Sequence, residues 1–251
     1  MRVLRRVEHR DDAVHRAVRW AERAPHVRRS IIRLSILIAT LESRKTTFDR
    51  LYSELARQVD AAASAGEVEI LVERDAGQAS TGAKRNLLLE RAAGDFVVSV
   101  DDDDDVHERY VELILEALRT SDELDSVGIE GEITFRGRRT ARFVMSNRYR
   151  EYAWTGDRYV RPPHHLNPIR REIATRYRFE DADHHEDSDW AMRICRDGAL
   201  EREVMIEAVL YHYNARRAWL YQRLLDRTEF VRHPLGLKVS NRHRIKRAIR
   251  I

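Results

Sequence analysis

The sequence predicts an α/β fold with a mixed, mainly parallel sheet, in which a Rossmann-like nucleotide-binding half is joined to a second half of different pattern. Three observations predict it. Short β-branched apolar runs alternate with helical periodicities through the first 120 residues. Gly66 and Gly94 stop the first two of those helices. Five consecutive aspartates, Asp101 to Asp105, follow the third apolar run. They fall at the carboxyl end of a strand, the edge at which open α/β sheets bind ligands.

In chain order, residues 1–30 read as a helical extension. Asp11 or Asp12 caps a thin apolar face of Ala13, Val14, Ala17, Val18 and Ala21, and Pro25 ends it. Residues 31–40 form the first strand. Residues 47–63 form a helix carrying Leu51, Tyr52, Leu55, Ala56 and Val59. A strand at 68–72, a helix at 81–93, a strand at 96–100 and a helix at 110–118 follow. This order predicts right-handed crossovers. No GxGxxG fingerprint and no GxxxxGK[ST] loop occurs.

The second half changes character. Residues 127–135 and 140–145 flank Arg136-Gly137-Arg138 as a hairpin. Tyr149, Tyr152, Trp154 and Tyr159 then interleave with Arg148, Arg150, Arg158 and Arg161, and Pro162 to Pro168 is a loop. Residues 186–196 form a short helix ended by Gly198, and 204–210 form a strand running into Tyr211-His212-Tyr213. Residues 216–232 read as an arginine-rich amphipathic helix. The expected division is an N-terminal helical extension over 1–30, one domain over 31–214, and a basic helical extension over 215–251.

Composition narrows the class. The chain has 251 residues, 43% hydrophobic and 35% charged, which suffices for a core and excludes a disordered chain. Its formal net charge of +4 permits anionic partners: nucleotides, nucleic acid or acidic lipid. The single cysteine, Cys195, excludes an internal disulfide and points to a reducing compartment. No apolar run is long enough for a transmembrane segment, so a cytoplasmic protein, soluble or at most peripheral to a membrane, is expected. The oligomeric state is not legible.

The chemistry gathers at strand ends. Five crowded carboxylates repel one another, and a hard divalent cation with oxygen ligands would relieve them. Strand period places Asp101 and Asp103 on one side, while Asp104 or Asp105 suits the cap of the next helix. Thr40 and Glu42 end the first strand and Asp75 ends the second, so all could line one crevice with Asp101. Thr40 and Glu42 read equally as a capping loop, and Asp75 as a turn residue before Gly77. Lys84 and Arg85 open a helix, where they suit either a diphosphate or an exposed basic face. Glu186, Asp187 and Asp189 serve either a helix's first turn or an acid–base role. A metal cluster of His184, His185 and Glu186 does not match common zinc spacings.

The strand SILIAT, the Asp after the second strand, the segment GAKRNLLLERAAGDFVVSVDDDDD and the later HEDSDWAMR together resemble family 2 glycosyltransferases of the GT-A fold, over residues 34–213. The resemblance implies a metal-dependent, inverting transfer from a nucleotide-diphospho-sugar, with UDP as the nucleotide and Mn²⁺ or Mg²⁺ as the cofactor. By resemblance, Asp101-Asp102-Asp103 is the DxD motif: Asp103 holds the metal, and Asp101 or Asp102 holds the ribose or the metal. Thr40, Glu42 and Asp75 hold the nucleoside, with Lys84 and Arg85 beside it. The acceptor's base is Asp187, with Glu186 next to the acceptor. His212 is a further metal ligand or a structural histidine.

Tyr149, Tyr152, Trp154 and Trp190 form either an acceptor wall or ordinary core, and His165, Asn167 and Arg170 are acceptor-side polar candidates. The acceptor implied is a glycan or lipid-linked saccharide. The arginine–aromatic interleaving and the basic tail also admit hydroxymethylated bases in DNA. A non-catalytic nucleotide-sugar or nucleic-acid binding module on the same fold is the rival of another class.

Overall fold

The strand β1, Leu34–Leu41, sets the frame of the computed structural model, which describes residues 32–62, 66–135, 138–155 and 158–215. Its side chains divide by strand period. Leu34, Ile36 and Ile38 enter one apolar cluster, and Leu37 enters the cluster on the other face. Burial on both faces explains the unbroken apolar run. The parallel strand β2, Val68–Asp75, pairs in register from Leu34↔Val68 to Leu41↔Asp75. On the other side β3, Phe96–Ser99, pairs in parallel from Leu34↔Phe96 to Leu37↔Ser99. β3 divides likewise: Phe96 and Val98 face one cluster and Val97 the other.

Helices cover both faces. α1, Lys45–Ala61, lays Leu51 and Leu55 on the first cluster, as expected from its spacing, and adds Phe48; Tyr52, expected on the same face, is exposed. α2, Thr81–Arg91, lays Leu88 and Leu89 on the second. Beyond β3 the short strand β4, Asp105–Val106, precedes α3, Tyr110–Leu118. The long strands β5, Ser126–Phe135, and β6, Arg138–Met145, pair antiparallel, as the hairpin reading expects.

Next come β7, Ala153–Thr155, and β8, Arg158–Arg161, an antiparallel pair within the arginine–aromatic stretch that carries no strand alternation in its sequence. β9, Ile169–Arg170, leads into a single helical turn, α4, Arg171–Ala174. α5, Glu186–Arg196, has its expected bounds, and Gly198 follows at φ 63°. The last strand, β10, Glu203–Ala215, is longer than expected because it pairs with β5 along its whole length. Among the described residues these strands make one sheet, ordered β2-β1-β3-β9-β5-β6-β8-β7, with β10 against β5 and β4.

The expected helices at 1–30 and 216–232, and with them both terminal extensions, lie outside the described residues. Among the described residues no helix is long and apolar enough to cross a membrane.

The start of α2 is locked to the loop before α5. Ser80 Oγ accepts from Ala83 N, Thr81 N donates to Asp183 Oδ1 at 2.9 Å, and Gly82 N donates to Ala182 O at 3.0 Å. The first donors of this helix are therefore occupied by protein. Asn86 clamps the same loop, exchanging side-chain bonds with the backbone of Phe179 at 2.9 Å each way. Only glycine fits at 82, because a Cβ there would stand 1.8 Å from Glu180 O. Gly82→Ala is expected to cost about 1–3 kcal/mol in urea unfolding with an unchanged m-value. An unchanged midpoint would show that the two segments are not locked.

Candidate active site

The aspartate run is a turn rather than a continued strand. After Val100 N donates to Leu37 O, Asp104 N donates to Asp101 O at 3.2 Å and closes the chain on itself. Asp102 and Asp104 point inward, 1% and 0% exposed. Asp102 accepts from Thr40 Oγ1 at 2.5 Å and from Arg44 Nη1 at 2.8 Å. Asp104 accepts from Tyr211 Oη at 2.8 Å and Asn214 N at 2.7 Å. Burial, with Asp101 nearby, pushes its pKa well above the ordinary carboxylate value.

Asp101, Asp103 and Asp105 lie at intermediate exposure. The side shared by Asp101 and Asp103 thus arises from a turn and not from strand period. Neither Asp104 nor Asp105 caps α3: Asp105 pairs with Arg50 at 2.9 Å and accepts from Asn214 Nδ2 at 2.7 Å, and the cap position is Arg109.

The ends of β1 and β2 meet beside this turn. Thr40 is buried and bound to Asp102, while Glu42 is exposed at the start of a 3₁₀ turn, Glu42–Arg44. Asp75 accepts from Gly77 N at 3.1 Å and Ala79 N at 2.6 Å, so its turn reading is the observed one. Lys84 is buried, and donates to Asp75 Oδ1 at 2.5 Å and Thr40 O at 3.0 Å. It ties the two strand ends together and is spent on protein, which corrects its expected place beside a diphosphate. The Lys84 bond and the backbone donors hold the Asp75 carboxyl down to about 2.

Arg85 crosses from this edge to α5. It is 6% exposed. One amino group bonds Glu186 Oε1. The other lies 3.0 Å from Asp101 Oδ1 and 3.1 Å from His165 Nε2. Glu186 is therefore buried against Arg85 rather than facing an acceptor. Burial raises its pKa, with Asp187 adding and Arg85 opposing. Asp187, the next residue, is partly exposed and stands with Oδ2 2.9 Å from His164 Nε2. Burial opposes its ionisation, but His164, His165 and Arg85 hold it well below the carboxylate range. Asp101 is likewise held low, with His165 and Arg85 outweighing burial. Burial pushes His164 well below the ordinary histidine value, and Arg161 adds to this; burial and then Arg85 lower His165. The backbone turns into α5 through His185 at φ 72°, a left-handed conformation rare outside glycine, which sets the start of the helix.

The loop carrying the two histidines is fixed by Asn167. Its Oδ1 accepts from His164 N at 2.9 Å, and its Nδ2 donates to Val127 O at 2.9 Å and Met145 O at 3.1 Å. Ser99 N donates to His165 O at 2.8 Å, docking the loop on β3. Asn167 is thus a positioning residue and not an acceptor contact. His164 is the site residue that sequence reading missed. The available signal was its place beside His165 in the proline-flanked loop.

Several other candidates are structural. Trp190 is 2% exposed, stacks on Phe179 at 4.8 Å and donates to Tyr177 O at 2.8 Å, so it is core and not an acceptor wall. Trp154 packs on the core beside Tyr159, with ring centroids 5.7 Å apart. Tyr152 accepts from Arg161 at 2.7 Å. Arg170 donates to the carbonyls of Leu124 and Asp122, both at 2.7 Å. His212 stands 3.1 Å from Glu132 Oε1, its cross-strand partner on β5. That pairing engages Nδ1 and leaves Nε2 of the ring for another partner.

No family model matches the chain, and no curated protein matches it at a significant level. Solved structures do match. The structure of S. aureus TarS 1-349 in complex with UDP-GlcNAc has a TM-score of 0.53 at 13% identity, over 84% of this chain and 69% of that one. A second S. aureus TarS structure has a TM-score of 0.50 at 14% identity, over 87% of this chain and 42% of that one, so this chain spans less than half of that protein. At this identity the likeness is one of architecture, and the chain has the GT-A fold of glycosyltransferases.

Proposed function

We propose that the protein is a glycosyltransferase that moves a sugar from a nucleotide-diphospho-sugar to a hydroxyl acceptor, with help from a divalent cation. One observation carries this reading. Arg85 brings the aspartate turn at the end of β3 and the Glu186-Asp187 start of α5 to the two ends of a single guanidinium. A transfer reaction needs those two functions adjacent: a place for the leaving diphosphate and a base for the attacking hydroxyl. The UDP-GlcNAc complex of TarS supports a UDP-sugar as donor.

The donor set fits a hard cation at the turn. Both oxygens of Asp102 are buried against Thr40 and Arg44, whereas Asp101 and Asp103 are partly exposed, with Asp101 Oδ1 3.0 Å from Arg85 and Asp103 Oδ2 3.7 Å from Arg44; these two carboxylates would hold Mn²⁺ or Mg²⁺. When bound, such an ion supplies charge neutralisation at the diphosphate. The protein's own groups do the rest. The crevice between the ends of β1 and β2, with exposed Glu42 and the ionised Asp75, takes the nucleoside. Asp187, kept ionised, accepts the hydroxyl proton as the acceptor oxygen bonds to the anomeric carbon and the bond to the diphosphate breaks. Arg85 holds the two carboxylate groups in register without touching the acceptor.

Two outcomes follow. Asp103→Asn is expected to abolish cation-dependent donor binding. In the unaltered protein, donor hydrolysis should stop in chelator and return with Mn²⁺ or Mg²⁺; full hydrolysis in chelator would remove the cation. Asp187→Asn is expected to keep donor affinity and lower the transfer rate by at least ~10²-fold. Normal transfer in that variant would remove Asp187 as the base.

A further inference from the structure

Two buried imidazoles and one carboxylate converge beside the aspartate turn. His164 and His165 are 2% and 5% exposed, with ring centroids 4.0 Å apart. His164 Nε2 lies 2.9 Å from Asp187 Oδ2, and His165 Nδ1 lies 3.7 Å from the same oxygen. One donor atom from each of the three residues falls within 4.8 Å of the others. In a tetrahedral site with bonds of about 2.0–2.1 Å, neighbouring donors stand about 3.3 Å apart. The two observed separations bracket that edge.

Independent observations point to a ligand rather than to packing. The Nδ1 atoms of both rings are buried with no hydrogen-bond partner among the described residues. Buried polar atoms are nearly always satisfied, and an ion is one of the explanations for those that are not. The contact between His164 Nε2 and Asp187 has ion-pair distance but lacks hydrogen-bond geometry. His165 presents its other nitrogen, Nε2, 3.4 Å from Asp101 Oδ1. Arg85 Nη2 stands 3.1 Å from the same nitrogen. A metal on Nδ1 would place the ring proton on Nε2, where the Asp101 carboxylate would accept it and orient the ring, as carboxylates do for metal-bound histidines. The frame is rigid as well: Ser188 N holds Asp187 Oδ1 at 2.6 Å, and Asn167 fixes the histidine loop.

We propose that His164, His165 and Asp187 form a site for a borderline divalent metal of the zinc class, separate from the hard-cation carboxylates Asp101 and Asp103. The donor types make the separation. Imidazole with one carboxylate favours zinc, cobalt or nickel, whereas carboxylates alone favour magnesium or manganese. A consequence rests on Asp187 being the base: zinc here engages the oxygen that would take the proton, so zinc inhibits transfer that manganese supports.

The test uses Co²⁺ as a spectroscopic stand-in on the full chain stripped of metal. Stoichiometric Co²⁺ is expected to give the visible d–d absorption of a four- or five-coordinate ion, bleached by Zn²⁺ and retained in Asp103→Asn. His165→Gln and Asp187→Asn are each expected to weaken Co²⁺ binding by ~10²-fold or more. Asp187 is partly exposed, so its variant keeps the test valid if the buried histidine variant fails to fold, as judged by far-UV circular dichroism. Absence of the bands overturns the proposal. Bands that survive both variants but vanish in Asp103→Asn also overturn it, assigning the ion to the aspartate turn. The readout does not need sugar transfer. Bands that behave as expected in a protein without transferase activity uphold the site and remove only its inhibitory consequence.

Discussion

A buried guanidinium is the constraint on which the site depends. Arg85 cannot lose its proton and is shielded from water, so it requires compensating charge from the protein. Glu186 and Asp101 supply it from opposite directions. Removing both would leave an uncompensated buried charge, which is far more costly than the pairing itself is worth. The arginine therefore fixes the distance between the end of β3 and the start of α5, two segments that the chain brings together across 85 positions. Burial and neighbouring charge together set the titrations apart: Asp101 and Asp187 stay ionised against burial, while burial pushes Asp104 up and His164 and His165 down. Carboxylates of one composition thus acquire different characters through their surroundings alone.

The frame of the fold was legible because it obeys local rules. β1 and β3 are buried on both faces and read as unbroken apolar runs, α5 announces its acidic start and glycine stop, and β5 and β6 alternate around a turn. The pair β7 and β8 was not legible, because its tyrosines, tryptophan and arginines carry no period of two; their sheet pairing with β6 comes from tertiary context. The length of β10 was hidden for the same reason, since its last residues are held by β5 and by the aspartate turn.

Within the site, the sequence located the acidic turn and the Glu186-Asp187 pair but not the direction in which side chains point. Lys84, Asn167 and Trp190 carry functional-looking groups, yet each is turned inward by partners 9 to 44 positions away: Asp75 and Thr40 for Lys84, Val127 and Met145 for Asn167, Tyr177 for Trp190. His164 escaped notice because its importance comes from Asp187, 23 residues on. A pairing between distant segments leaves no periodic trace, so it becomes visible only when the strand ends are brought to one edge.

Asn214 gives the acidic turn an unusual chemical sensitivity. Its backbone N–H holds Asp104, while its side-chain amide donates at 3.3 Å to Asp103 O and at 2.7 Å to Asp105 Oδ2. Every one of these partners is an oxygen acceptor. Exchanging the amide nitrogen for oxygen, as in conversion of this asparagine to aspartate, would keep the shape of the side chain and reverse the sign of its dealings with the turn. Two donations would become oxygen–oxygen repulsions beside five existing carboxylates. This one side chain thereby acts as a one-atom register of the electrostatic balance of the whole strand end.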